Sequence, residues 1–73
     1  MSLRAILTEA APVGGRRRFN VGVAGEAPSG KHVCRPQFLR TGPWCKGTAR
    51  EHAKRLQGEL DRNLHGALLG WLP

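Results

Sequence analysis

His32, Cys34, Cys45 and His52 are the residues of this chain whose types suit metal or thiol chemistry. Two imidazoles and two thiolates are a tetrahedral zinc set in kind. Their order reads His-x-Cys, ten intervening residues, Cys, then six and His, and no Cys-x-x-Cys pair occurs. That order matches none of the common zinc patterns, so the sequence predicts no metal site and no cofactor. Cys45 beside Lys46 has the electropositive neighbour that lowers a thiol pKa, with His52 further along as a candidate base. No acid or amide is specified to orient that base, so no catalytic residue is assigned. A phosphate loop of the Walker type needs Gly-Lys-Ser/Thr opening a helix, whereas Gly30-Lys31 is followed by His32, and Gly14-Gly15 leads into a strand pattern. Nucleotide hydrolysis is not expected.

What remains is charge. The 73 residues hold 12 Lys and Arg against 5 Asp and Glu, a net charge of +7, and nine of the cations are arginine. The excess is local. Residues 10–46 carry seven cations (Arg16, Arg17, Arg18, Lys31, Arg35, Arg40 and Lys46) against Glu26 alone, while residues 47–73 are close to balanced. A concentrated basic surface is the footprint of a phosphate binder, and the planar guanidinium suits bidentate phosphate contact. Arg16, Arg17, Arg18, Lys31, Arg35 and Arg40 are therefore the expected contact set, for nucleic acid, a nucleoprotein complex or an acidic protein surface. Aromatic interleaving is thin, and Phe19 reads as core, so a base-stacking sheet of the RNP type is not expected.

These residues must be positioned by a small α+β domain spanning 1–73. Phe19, Val21 and Val23 alternate with Arg18, Asn20 and Gly22, the period of a strand with one buried face. Gly25 to Gly30 is a turn-rich loop, and Lys31 to Arg35 returns as a second strand that Pro36 ends or confines to an edge. Thr48 and Glu51 have capping-box spacing. Ala49, Ala53, Leu56, Leu60, Leu64 and Leu68 follow at helical steps, with Arg50, Glu51, Lys54, Arg55, Glu59 and Arg62 on the other side. Glu51 and Arg55 are ordered for an i,i+4 pair, and the helix should stop near Gly66 or Gly70. Residues 1–10 fit either a short helix or a strand. The strand is favoured because two strands alone are rarely stable, and Ala11 to Gly15 should end that element. The expected architecture is an antiparallel sheet of two or three strands against one amphipathic C-terminal helix. It comprises an N-terminal element and linker (1–15), a basic hairpin and turn (16–45), and a helix with an apolar tail (46–73). Val21, Val23, Val33, Leu56, Leu60 and Leu64 should form its centre. Leu68, Leu69, Trp71 and Leu72 give the tail an interface candidate, including a homodimer contact.

The length excludes a pocketed enzyme with a separate cofactor domain. No apolar run is long enough to cross a membrane, and no secretory signal is apparent, although residues 1–20 are arginine-rich and acid-poor in the manner of a presequence. Two cysteines are too few for a disulfide framework, so a cytoplasmic protein with reduced Cys34 and Cys45 is expected. The order of basic strand (Arg17 to Val23), Gly/Pro/Ser loop (Gly25 to Gly30), strand (Lys31 to Arg35), Gly42-Pro43-Trp44 turn and capped helix (Thr48 to Leu64) resembles small phage and mobile-element accessory proteins, anti-CRISPR proteins and other host-takeover factors among them. The resemblance implies a non-enzymatic inhibitor or modulator that occupies a surface on a larger host assembly. Many such proteins are acidic mimics of nucleic acid, and the basic charge here turns the expectation toward contact with nucleic acid instead. The alternative is a basic structural subunit of a large assembly, such as a ribosome-associated or organellar complex.

Overall fold

The structure, a computed structural model, describes residues 2–27 and 29–62. Three strands, β1 (Ser2–Val13), β2 (Arg16–Glu26) and β3 (His32–Arg35), precede one helix, α1 (Lys46–Asp61). The sheet is antiparallel in the order β1-β2-β3. The α+β expectation is met with three strands, and residues 2–10 are strand.

The two hairpins have different turn chemistry. Gly14 and Gly15 both take positive φ, 59° and 76°, between the paired residues Val13 and Arg16. Two consecutive left-handed residues match the twist of the flanking strands, a conformation that favours glycine at both positions. β1 therefore does not end at Ala11 as expected. Ala11 and Pro12 together oppose Arg17 where the register shifts between Ala10 and Val13. This bulge, on an edge strand, accommodates a proline that cannot donate to the ladder. β2 likewise runs on through Gly25 and Glu26 to pair with Val33 and His32, so the second loop is shorter than the glycines implied.

Odd-numbered residues of β2 face the helix. Phe19, Val21 and Val23 form the core with Ala49, Leu56 and Leu60, and Leu3, Ala5, Leu7, Phe38, Leu39, Trp44 and Ala53 pack around them. Val21 and Val23 are completely enclosed, and burying each contributes about 1.5–3 kcal/mol. Phe19 is core, as its position in the alternating pattern suggested. Val33 is buried but lies outside the central cluster, because the short β3 meets β2 beyond the helix. Leu64, and the candidate interface residues Leu68, Leu69, Trp71 and Leu72, lie outside the described residues.

After β3 the chain stays beside β2. The amides of Phe38 and Leu39 both donate to the Val21 carbonyl (2.9 and 3.2 Å), and Trp44 exchanges two backbone bonds with Phe19 (2.7 and 2.8 Å). The Gly42–Pro43 peptide between them is cis. Trp44 then delivers the chain to α1.

The helix differs from expectation at both ends. It begins at Lys46 with Cys45 as N-cap, three residues before the anticipated N-cap Thr48, so the Thr48–Glu51 box does not form. Thr48 lies inside the first turn, its hydroxyl 3.2 Å from Cys45 Sγ, and Glu51 pairs with Lys54 at 4.0 Å rather than with Arg55. The helix ends at Asp61, before Gly66 and Gly70, as the amide of Arg62 turns back to the Gly58 carbonyl. Asp61 and Arg62 follow Leu60 as polar residues, and aspartate is a weak helix former.

Gln57 ties α1 to the outer edge of the sheet. Its Oε1 accepts the Ala5 amide at 2.7 Å, while its Nε2 donates to Asp61 Oδ1 at 3.0 Å and reaches the Leu3 carbonyl at 3.5 Å. An edge strand otherwise presents unpaired backbone groups to other chains, and here a helix side chain occupies them at Leu3 and Ala5.

Candidate nucleic-acid interface

Side chains of a strand alternate between faces, and that alternation divides the arginine run. Arg16 and Arg18 project from the face opposite the helix, beside Ala10, which pairs with Arg18. Arg4 lies on the same face, opposite Ala24. Arg16 and Arg4 are exposed and Arg18 is half-buried. Arg17 projects from the helix side and is engaged there. Its Nε and Nη2 donate to the two carboxylate oxygens of Glu9 at 2.9 and 3.0 Å, and its guanidinium lies 5.2 Å from the centre of the Phe19 ring. The Arg17 hydrogen bond holds the Glu9 carboxyl below its usual pKa, with the charges of Arg17 and Lys46 adding to it.

The remaining predicted contacts lie along the β3 side. Lys31 is exposed in the loop after β2, where its carbonyl accepts the Ala27 amide at 2.9 Å. Arg35 ends β3 opposite Val23. Five to seven residues of β2 separate Val23 from the Arg16–Arg18 run, roughly 16–23 Å at strand rise. Arg35 and Arg40 line one open cleft of about 430 Å3 together with Gln37 and Phe38. The predicted set is thus two clusters, Arg16 with Arg18 and Arg35 with Arg40, with Arg17 paired to an acid and Lys31 apart. Sequence reasoning missed Gln37 and Phe38. The signal for them was an aromatic residue between two arginines, two positions after a strand-ending proline.

Lys46 also belongs to the basic map. It sits at the first helical position, close enough to Glu9 to lower its pKa. A cation there opposes the helix dipole, and no acidic residue offsets it in the first turn.

The four candidate metal ligands do not converge. His32 and Cys34 lie on β3, Cys45 caps α1, and His52 stacks on Trp44 with ring centroids 4.3 Å apart. Among the described residues no three His, Cys, Asp or Glu side chains form a metal-holding group. Both thiols are free and exposed. The Cys45 thiol pKa is lowered, first by the hydrogen bond with the Thr48 hydroxyl and also by the charge of Arg18. His52 is occupied with Trp44 rather than serving Cys45 as a base. No helix among the described residues is long and apolar enough to cross a membrane.

Comparison with family models, with curated proteins and with solved structures finds no match to this chain.

Proposed function

We propose that this chain is a non-enzymatic accessory protein of the phage or mobile-element kind, acting in the cytoplasm of a host cell by docking on nucleic acid or a nucleoprotein complex. The observation that supports it is a net charge of +7 with four of the nine arginines gathered in two clusters, Arg16 with Arg18 and Arg35 with Arg40. Guanidinium pairs of this kind suit phosphate oxygens, which take bidentate contacts. Lys46, in a first helical turn that holds no acid, adds positive potential at the N-terminus of α1.

The reading is tested by fluorescence anisotropy with short single- and double-stranded DNA and RNA across a salt series. If Arg16, Arg18, Arg35 and Arg40 each neutralise one phosphate, log affinity falls against log salt with a slope of about −2.8 on single strands and about −3.6 on duplex. Arg16→Glu with Arg18→Glu should weaken binding far more than Arg17→Glu, because Arg17 already serves Glu9. Negligible, salt-independent binding by the folded protein overturns the proposal and directs the search to acidic protein surfaces.

A further inference from the structure

We propose that the cleft bounded by Arg35, Gln37, Phe38 and Arg40 holds one nucleotide of an unpaired strand. The phosphates on its two sides would be taken one by each guanidinium group, and its base would lie against Phe38. The inference rests on the nucleic-acid reading and adds to it a strand state and a place.

Three observations carry it. First, the cleft has the volume of a small-molecule site, about 430 Å3 in a range of about 300–1,000 Å3. A single carboxylate side chain of a protein partner would leave most of that volume unfilled. Second, its lining combines the groups that a nucleotide needs and an acidic peptide does not: two arginines for phosphate, an aromatic ring for a base face, and an amide able to donate and accept at a base edge. A base within a duplex is stacked on its neighbours and cannot enter such a cleft, whereas an unpaired base presents its faces. Third, the floor is fixed. Phe38 is half-buried against the core cluster, and the amides of Phe38 and Leu39 share the Val21 carbonyl. The backbone of Arg35 is held by the ladder opposite Val23. A ligand would therefore meet a preformed surface and not have to order a loop, which is where much of the cost of binding lies.

The test uses the full chain, a labelled ten-nucleotide single strand of mixed sequence, a ten-base-pair duplex and free AMP, with Phe38→Leu, Arg40→Gln and Arg16→Gln/Arg18→Gln variants. Leucine retains apolar packing while removing the ring, and Arg40 is exposed, so folding of both variants can be confirmed by circular dichroism. Phe38→Leu should reduce single-strand affinity about tenfold, within the range seen when a stacking residue is removed, and Arg40→Gln should lower its salt slope by about 0.7. Duplex affinity should change less than about twofold for Phe38→Leu, and the backbone amides of residues 37–40 should shift in NMR spectra on adding the single strand. If Phe38→Leu and Arg40→Gln leave single-strand affinity unchanged while the Arg16/Arg18 variant weakens it, the cleft assignment is wrong and the wider nucleic-acid reading stands. If the wild-type chain binds neither strand nor duplex, the wider reading fails. AMP shifting the same amides in that case would overturn the strand as occupant in favour of a free nucleotide.

Discussion

Replacing Gly22 with alanine should destabilise the fold by about 2 kcal/mol, although glycine-to-alanine changes in extended or helical backbone ordinarily stabilise. A Cβ at Gly22 would lie 2.6 Å from the Pro36 carbonyl oxygen, 2.7 Å from the Pro36 carbonyl carbon, and closer still to the Arg35 carbonyl oxygen. All three atoms are backbone, so no side chain can swing aside. The Pro36 oxygen also accepts a hydrogen bond from Thr8 Oγ1 of β1, on the same face of the sheet, at 2.7 Å. Displacing the chain at Pro36 therefore adds the loss of that hydrogen bond, about 1 kcal/mol, to an overpacking cost of about 1–3 kcal/mol. The lower entropy of an unfolded chain with alanine offsets about 0.4–1 kcal/mol. A chain of this length ordinarily has about 4–11 kcal/mol in total, so the melting temperature should fall by roughly 8–16 °C. Gly58→Ala is the matched control. Its Cβ would meet only the mobile end of Arg62, at 3.5 Å, inside a helix where glycine costs about 1 kcal/mol relative to alanine. Equilibrium urea unfolding followed by circular dichroism should give opposite signs for the two substitutions. If Gly22→Ala proves as stable as the wild-type protein, the crossing of Pro36 over β2 is not where the steric argument puts it.

Gln57→Ala should cost about 1 kcal/mol and speed hydrogen exchange at the Ala5 amide, which Gln57 Oε1 accepts; an unchanged Ala5 exchange rate would remove Gln57 as the cover of the β1 edge. Cys45 should alkylate with iodoacetamide faster than Cys34 below pH 8, since its thiol pKa is lowered first by the Thr48 hydroxyl, and Thr48→Val should slow it; equal rates for the two cysteines would contradict this. Glu9, whose carboxyl pKa is held down by Arg17, contributes stability that is present above the ordinary carboxylate range and lost as pH falls through its folded value. Thermal melts between pH 2 and 6 should show a shallower acid limb for Glu9→Gln, and an unaltered limb would show that the pair does not act in solution.

The helix and the strand at Phe19–Val23 were legible because both are amphipathic over many residues, and periodicity survives any tertiary context. The boundaries were not, and each miss has a physical cause. Thr48 and Glu51 satisfy a local pattern, yet the bridge between Trp44 and Phe19 brings the chain to the helix start three residues earlier, and a local cap cannot compete with two backbone hydrogen bonds to the central strand. Ala11-Pro12 looked like an ending because proline cannot donate to a ladder; on an edge strand, with a bulge opposite Arg17, it does not have to. The cleft was invisible for a different reason. Gln37 and Phe38 become a lining only because Gly22 lets the chain at Pro36 pass close over β2, a contact between positions 14 residues apart.

The arginine run shows how far a charge count and a charged surface diverge. Three consecutive cations suggest a continuous patch, but a strand turns alternate side chains to opposite faces. Two of the three share the outer face, separated by roughly 7 Å of strand, and the third is on the other side of the sheet. What the third one meets there depends on register. Glu9 pairs with Phe19 in the ladder, which places the carboxylate diagonally adjacent to Arg17 on the helix side, and the bidentate contact follows. Had β1 slipped by one residue, Glu9 would have turned to the outer face and faced Arg16 and Arg18 instead, cancelling part of the positive charge there. The register that packs Leu3, Ala5 and Leu7 toward the helix is thus the same register that keeps Glu9 off the face carrying Arg16 and Arg18. The apolar pattern of β1 sets the charge of the opposite face.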